Sequence, residues 1–237
     1  MGKQRTELAS PTHLEPRRSP LQERGKQTVE KILDATAELL HHKGHTKLTT
    51  KKVAERSGIN IATLYHYFPN KMALLHALAK RFAEQQQEQL DAIYAHRAET
   101  DWRDTVDKAL DAVLEFNRTV TGAVALSLAM RSYPSLREID YDRDSRESEF
   151  YASVLSELGI KDSPRELQLK ALVLTETMTA LVDYALQFYP EKADAAMDEV
   201  KLMVKLYIEY HLRQSAEDSS SEDTADAHEF EGSCPQP

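Results

Sequence analysis

The chain has 237 residues, 41% hydrophobic and 29% charged, which is enough for one domain or two small ones around a sizeable core. Its apolar stretches fall far short of the ~20 residues of a membrane span, and its polar, proline-rich start lacks the apolar core of a secretory signal. Cys234 is the only cysteine, so an intrachain disulfide is excluded and a cytoplasmic location is expected.

Only 7 Gly and 9 Pro, with few β-branched runs, leave little material for a sheet, and helical periodicity dominates. An all-α protein of about nine helices is predicted. Charge is divided along the chain: residues 1–82 hold 15 Lys and Arg against 7 Asp and Glu, whereas residues 83–237 hold 15 against 32. A basic first third on an acidic body is the footprint of a nucleic-acid reader whose remainder binds something else.

Residues 1–25 carry Pro11, Pro16 and Pro20 with Arg5, Arg17, Arg18 and Arg24 and no apolar period, which predicts a disordered basic arm. Such an arm can follow phosphates, enter a minor groove or add only diffuse attraction. A first helix is predicted from about Lys26 to Lys43, burying Val29, Ile32, Leu33, Thr36, Ala37, Leu39 and Leu40. His41, His42 and His45 have no Cys or carboxylate at zinc-ligand spacing and read as exposed residues at a helix end, not as a metal centre. No cofactor is predicted.

The stretch Leu48–Lys71 organises the rest. Thr49 or Thr50 can cap a short helix through Lys51, Lys52, Val53, Ala54, Glu55 and Arg56, and Gly58 supplies the left-handed residue at its end. Asn60 caps a second helix, Ile61–Tyr67, stopped at Phe68-Pro69. Two helices joined by a short glycine-containing turn form a helix-turn-helix, which lays its second helix in the DNA major groove. Double-stranded DNA is therefore the expected partner.

Asn70-Lys71 opens a fourth helix, predicted to run to about Arg97 with Met72, Leu75, Leu78, Phe82, Leu90 and Ile93 apolar and Gln85–Gln89 solvated. Asp101 starts a fifth, placing Trp102, Val106, Ala109, Leu110, Val113, Leu114 and Asn117 on one stripe. Gly122–Met130 is an apolar piece ended by Tyr133-Pro134, and Ser135–Arg146 reads as a charged linker or broken helix. A seventh helix, about Asp144–Leu158, buries Phe150, Tyr151, Val154, Leu155 and Leu158 and ends at Gly159. Ser163-Pro164-Arg165-Glu166 is a capping box with proline at the first helical position, opening an eighth helix that runs to Tyr189.

That helix is apolar over nearly its whole circumference and needs cover on all sides. With a ninth helix, about Lys192–Arg213, it predicts a homodimer interface that includes Met178, Leu181, Val182, Val204 and Ile208. Residues 214–237 contain seven acids, no Lys or Arg and a serine run, and read as a disordered acidic tail. No glycine-rich phosphate loop, nucleophile elbow or HExxH motif is present, so no enzyme is expected. Glu176 and Asp183 lie two turns apart on one face and read as a hydrogen-bonded pair or a ligand anchor.

The run Thr49-Thr50-x-x-Val53-Ala54-x-x-x-Gly58-Ile59, followed by Thr63-Leu64-Tyr65-x-x-Phe68-x-x-Lys71, resembles the DNA-binding segment of the TetR (tetracycline-repressor, AcrR-like) family. The resemblance covers roughly the first third of the chain. It implies a DNA-binding domain over 26–72, an effector-binding and dimerisation domain over 73–213, and a four-helix bundle formed by the last two helices of each chain. It also implies a repressor released by a small molecule, the alternative being an adaptor of the same fold answering to a protein partner or to no ligand.

By position, Thr50, Lys51, Tyr65, Tyr67 and Lys71 match backbone-facing residues of TetR-like proteins. Ile61, Ala62 and Thr63 match base-facing ones, and His66 fits either role. Many relatives carry a long polar side chain where Ile61 stands, so no relative's base preference is carried over. Ile61 and Ala62 cannot make the bidentate contacts that select guanine or adenine but pack well on thymine methyls. An effector pocket is expected among Trp102, Phe116, Leu128, Tyr133, Phe150 and Tyr151, with Asn117, Thr121, Thr175, Thr179 and Asp183 as polar candidates. Basic residues are scarce there apart from Arg118 and Arg131, which favours a largely apolar effector over a strongly anionic one.

Overall fold

The computed structural model of the protein describes residues 23–133, 136 and 148–229, with side chains as far as Asp218. Its helices are α1 (Glu23–Lys47), α2 (Thr50–Ser57), α3 (Ile61–Tyr67), α4 (Lys71–Tyr94), α5 (Trp102–Thr119), α6 (Ala123–Ser132), α7 (148–157), α8 (Pro164–Phe188) and α9 (Ala193–Glu229). Among the described residues there is no strand. The sequence signals act where they stand: Thr49 caps α2, Asn60 caps α3, Asn70 caps α4, and Ser163 with Glu166 forms the capping box of α8. Gly58 ends α2 at φ 67, and Gly44 breaks α1 at φ 70, close to the expected end at Lys43.

Three boundaries differ from expectation. α4 ends at Tyr94 rather than Arg97: the backbone tightens to three-residue turns, with Arg97 N–H on the Tyr94 carbonyl at 3.1 Å, and the Arg97 guanidinium donates to the same carbonyl at 3.0 Å. At 24 residues, α4 is still about 36 Å long at ~1.5 Å per residue. α1 begins at Glu23, inside the expected arm, while residues 1–22 lie outside the described residues. The expected disordered tail from 214 is instead helix as far as Glu229. No Gly or Pro interrupts residues 191–231, and Ser215 is buried, accepting the Lys161 N–H at 2.9 Å. The linker read at Ser135–Arg146 and the start of α7 at Asp144 lie outside the described residues, apart from Leu136.

The core is not divided at the end of the helix-turn-helix. Ile32, Leu40, Leu48, Val53, Leu64 and Phe68 from α1–α3 pack in one cluster with Leu75, Leu78 and Phe82 of α4, Phe116 of α5 and Leu126 and Met130 of α6. A second cluster joins Leu110 and Leu114 of α5, Leu155, Val182 of α8, and Met197, Val200, Val204 and Ile208 of α9. α5 and α9 are further tied by Lys205 to Asp107 at 2.8 Å and Arg103 to Glu209 at 2.9 Å. The head thus shares its core with α6, an element of the body.

Candidate nucleic-acid interface and internal cavities

α3 is held by a single deeply buried side chain, Leu64, and turns Ile61, Ala62, Thr63, Tyr65 and His66 outward. Ile61 is 38% exposed. Tyr65 is fixed by its hydroxyl, 3.0 Å from Thr50 Oγ1 at the start of α2, and Lys51 beside it is exposed. Tyr67 differs: it is half-buried against the core and leaves only part of its surface for a ligand.

Lys71 is more constrained than its sequence position implies. Its ammonium donates to the His45 carbonyl at 2.6 Å and to the Tyr133 hydroxyl at 2.9 Å, with Nζ 5.1 Å from the Tyr133 ring centroid. Two of its three protons are therefore committed inside the protein. His45, expected to be exposed, packs edge-on against Tyr133 with Nδ1 3.2 Å from its hydroxyl. Among the described residues there is no group of three or more His, Cys, Asp or Glu able to hold a metal.

Among the described residues, two cavities lie in the body. The first, about 480 Å³, is walled by α4, α5, α6 and α8 and receives Phe116, Asn117, Tyr151, Thr175, Thr179 and Asp183 from the predicted set. The second, about 400 Å³, opens among α4, α5, α7, α8 and α9 and receives Trp102. Tyr151 and Thr175 border both.

Four predicted residues line neither cavity. Thr121 is exposed ahead of α6, and Leu128 lies off the stripe of Ala123, Leu126, Ser127, Met130 and Arg131 that faces the first cavity. Tyr133 is drawn away to Lys71, and Phe150 stacks on Tyr94, with ring centroids 5.2 Å apart. Sequence reasoning missed Gln86 and Gln87, which line the first cavity although they were read as solvated. A signal existed for Gln86: it stands four residues after Phe82 and four before Leu90, on the buried stripe.

Asp183 is the polar centre of the first cavity. It is 4% exposed, accepts a hydrogen bond from the Ser127 hydroxyl, and lies 3.9 Å from Arg131 Nε. Burial pushes its carboxyl above the ordinary aspartate range, against the opposing pull of Ser127 and Arg131. Tyr94, buried beneath Tyr151, has its phenol pushed up to about 12 by desolvation.

The predicted interface residues separate into two groups. Val182, Val204 and Ile208 are 4%, 6% and 3% exposed and belong to the protomer's own core, while Met178 borders both cavities. An apolar helix carries no polar face to set its phase, and the structure sets it one step away. Leu181 remains outside with Leu169, Leu172, Val173, Tyr184 and Phe188 of α8 and Leu202, Met203, Leu206 and Tyr210 of α9.

Among the described residues no helix is long and apolar enough to cross a membrane. Comparison with known proteins matches residues 32–78 to the bacterial regulatory proteins of the tetR family and residues 100–212 to a tetracyclin repressor-like C-terminal domain. The tetracycline repressor protein class D of Escherichia coli is 50% identical over 50 residues, 21% of this chain and 23% of that protein. The repressor KstR of Rhodococcus jostii is 43% identical over 58 residues, 24% and 27% of the two chains. The aligned segment thus spans about a quarter of these curated relatives, 23% and 27% of their lengths. A TetR-family transcriptional regulator from Streptomyces coelicolor superposes with a TM-score of 0.61 at 28% identity, over 78% of this chain and 99% of that one. Exposed recognition helix, shared head–body core and both matched segments agree: the chain belongs to the TetR family of DNA-binding transcriptional regulators.

Proposed function

We propose that the chain is a dimeric repressor whose hold on a near-palindromic operator is released by a small, largely apolar molecule bound in the body. Residues 26–72 serve as the DNA-binding head and 73–213 as the sensing and dimerising body. One observation carries the reading: the helix that walls the first cavity also grips the head at both ends. Gly122, which opens α6, abuts the backbone of Ala37, and Tyr133, which closes it, accepts from Lys71. A molecule that displaces α6 therefore strains the seating of α1–α3.

Dimerisation is supported by the exposed apolar side chains of α8 and α9, an area one protomer leaves in water. The sign of regulation is supported by the relatives named as repressors, the tetracycline repressors and KstR. Within the head, Ile61, Ala62 and Thr63 read bases, Thr50, Lys51, Tyr65 and Tyr67 hold the backbone, Lys71 contributes its remaining proton, and His66 serves either purpose. Light scattering on the chain bound to a duplex selected from random sequence tests this. Two chains per palindromic site are expected, and a monomer bound tightly to one half-site would overturn the reading.

A further inference from the structure

The two cavities share a wall and differ in chemistry. Leu90, Val113, Tyr151, Thr175 and Met178 border both, and of these Met178 is unbranched and pliable. Beyond it the second cavity is apolar, floored by Trp102, Val106, Leu155, Leu174 and Ile208, with the Arg97–Glu157 ion pair at its rim. Either volume alone suits a small molecule, whereas the joined space suits an elongated one.

The hydroxyls on the polar side of the first cavity have spent their protons. Thr175 donates to the Ala171 carbonyl at 3.1 Å, Thr179 to the Thr175 carbonyl at 2.9 Å, and Ser127 to Asp183. One N–H of Asn117 goes to the Val113 carbonyl at 2.9 Å, and Gln87 donates to Asp91 at 2.7 Å. Thr175, Thr179 and Ser127 still present acceptor oxygens, while Asn117, Gln86 and Gln87 present both an amide oxygen and N–H. Two carboxylates, Asp183 within and Glu176 at the exposed rim, face one guanidinium, Arg131, so the wall is formally anionic. At 3.9 Å, Arg131 Nε lies beyond direct hydrogen-bond distance of the Asp183 carboxylate.

The geometry points to a cationic amphiphile as the ligand: a protonated amine seated between Asp183 and Glu176, its apolar tail passing Tyr151 and Met178 into the Trp102 cavity. This rests on the reading of the body as an effector site and names the chemical class it takes. The ammonium meets the excess of carboxylate over guanidinium and the free hydroxyl oxygens, and the tail fills the apolar space that the polar wall cannot serve.

Trp102 is the only tryptophan of the chain and lines the tail cavity, so its emission reports tail entry. The full chain is titrated with decylamine, and with butylamine, decanoate and 1-decanol as comparisons, by calorimetry and fluorescence. Decylamine is expected to bind at least tenfold tighter than decanoate or decanol and to shift Trp102 emission. Affinity should rise about threefold per methylene from butylamine upward. Asp183→Asn should weaken decylamine at least tenfold and leave decanol unchanged. Glu176→Gln, at the exposed rim, should weaken decylamine severalfold without touching the fold.

Decanoate binding as tightly as decylamine would overturn the assignment in favour of an anion on Arg131. Amine binding with no emission change and no dependence on chain length would overturn the tail site, and failure of every probe to bind would overturn both. Operator occupancy followed in the same titration separates this from repression itself. Decylamine that fills the cavity while DNA stays bound upholds the ligand class and sinks the release. A different compound that frees DNA while decylamine is inert does the reverse.

Discussion

The Lys71 ammonium donates to the hydroxyl of Tyr133, 2.9 Å away, joining the first residue of α4 to the residue that ends α6. Because α6 walls the first cavity, this contact is the route from ligand to head on the proposed reading. Tyr133→Phe keeps the edge-on packing with His45 and removes the hydroxyl's hydrogen bonds with Lys71 and His45, each worth about 0.5–1.5 kcal/mol. Ligand-free operator affinity is expected within about threefold of the parent, while the ligand concentration needed for release rises up to about tenfold. An operator titration at several ligand concentrations checks both.

The other end of α6 is a backbone contact. Gly122 has φ 86, and a Cβ there would stand 2.7 Å from the Ala37 carbonyl oxygen, which is main chain and cannot rotate aside. Gly122→Ala therefore combines left-handed strain with a clash and should cost about 1–3 kcal/mol. Thermal melting should fall by several degrees, and a parent-like melt would show that α1 and α6 can separate freely.

One valine and one leucine of α9 separate fold from assembly. Val204 is 6% exposed in the protomer core and Leu206 is 52% exposed. Val204→Asp buries an unpaired charge and should prevent stable folding, whereas Leu206→Asp should leave a folded, helical monomer with weakened operator binding. Circular dichroism with light scattering separates the two outcomes.

Base reading is tested at Ile61, 38% exposed on α3. Ile61→Ala should cost roughly 1 kcal/mol at a thymine and little elsewhere. Replacing each half-site thymine by uracil in a binding assay should reproduce that loss at one position. Lys51→Ala, by contrast, should weaken all sequences alike and lower the salt slope by about one.

Asp183 makes stability depend on pH. Its folded-state pKa is raised by burial, so ionisation is penalised on folding, and stability is fully present below the unfolded carboxyl range and falls as pH rises through the folded value. Asp183→Asn can still accept from Ser127 and removes that penalty. The variant should melt above the parent at neutral pH, with the gain vanishing as pH falls below the ordinary aspartate range.

Much of this was legible in the sequence because it rests on local chemistry. Thr49, Gly58, Asn60, Asn70 and the Ser163–Glu166 box each act through their own backbone, and each sits at the boundary it was expected to mark. The phase of α8 and α9 was not legible, because Val182 and Leu181, or Val204 and Leu206, are equally apolar and only packing distinguishes them. Gln86 was read by its polarity when its period placed it on the buried stripe. After 213 the composition argues disorder, while Ser215 accepts from Lys161 within the α7–α8 connection.

The coupling of cavity to DNA is tested most directly by following Trp102 emission and the anisotropy of a labelled, selected operator in one ligand titration. The account predicts that the two signals change together, with a common midpoint and one ligand per chain at saturation. A ligand that saturates the Trp102 signal while the operator remains fully bound would contradict it.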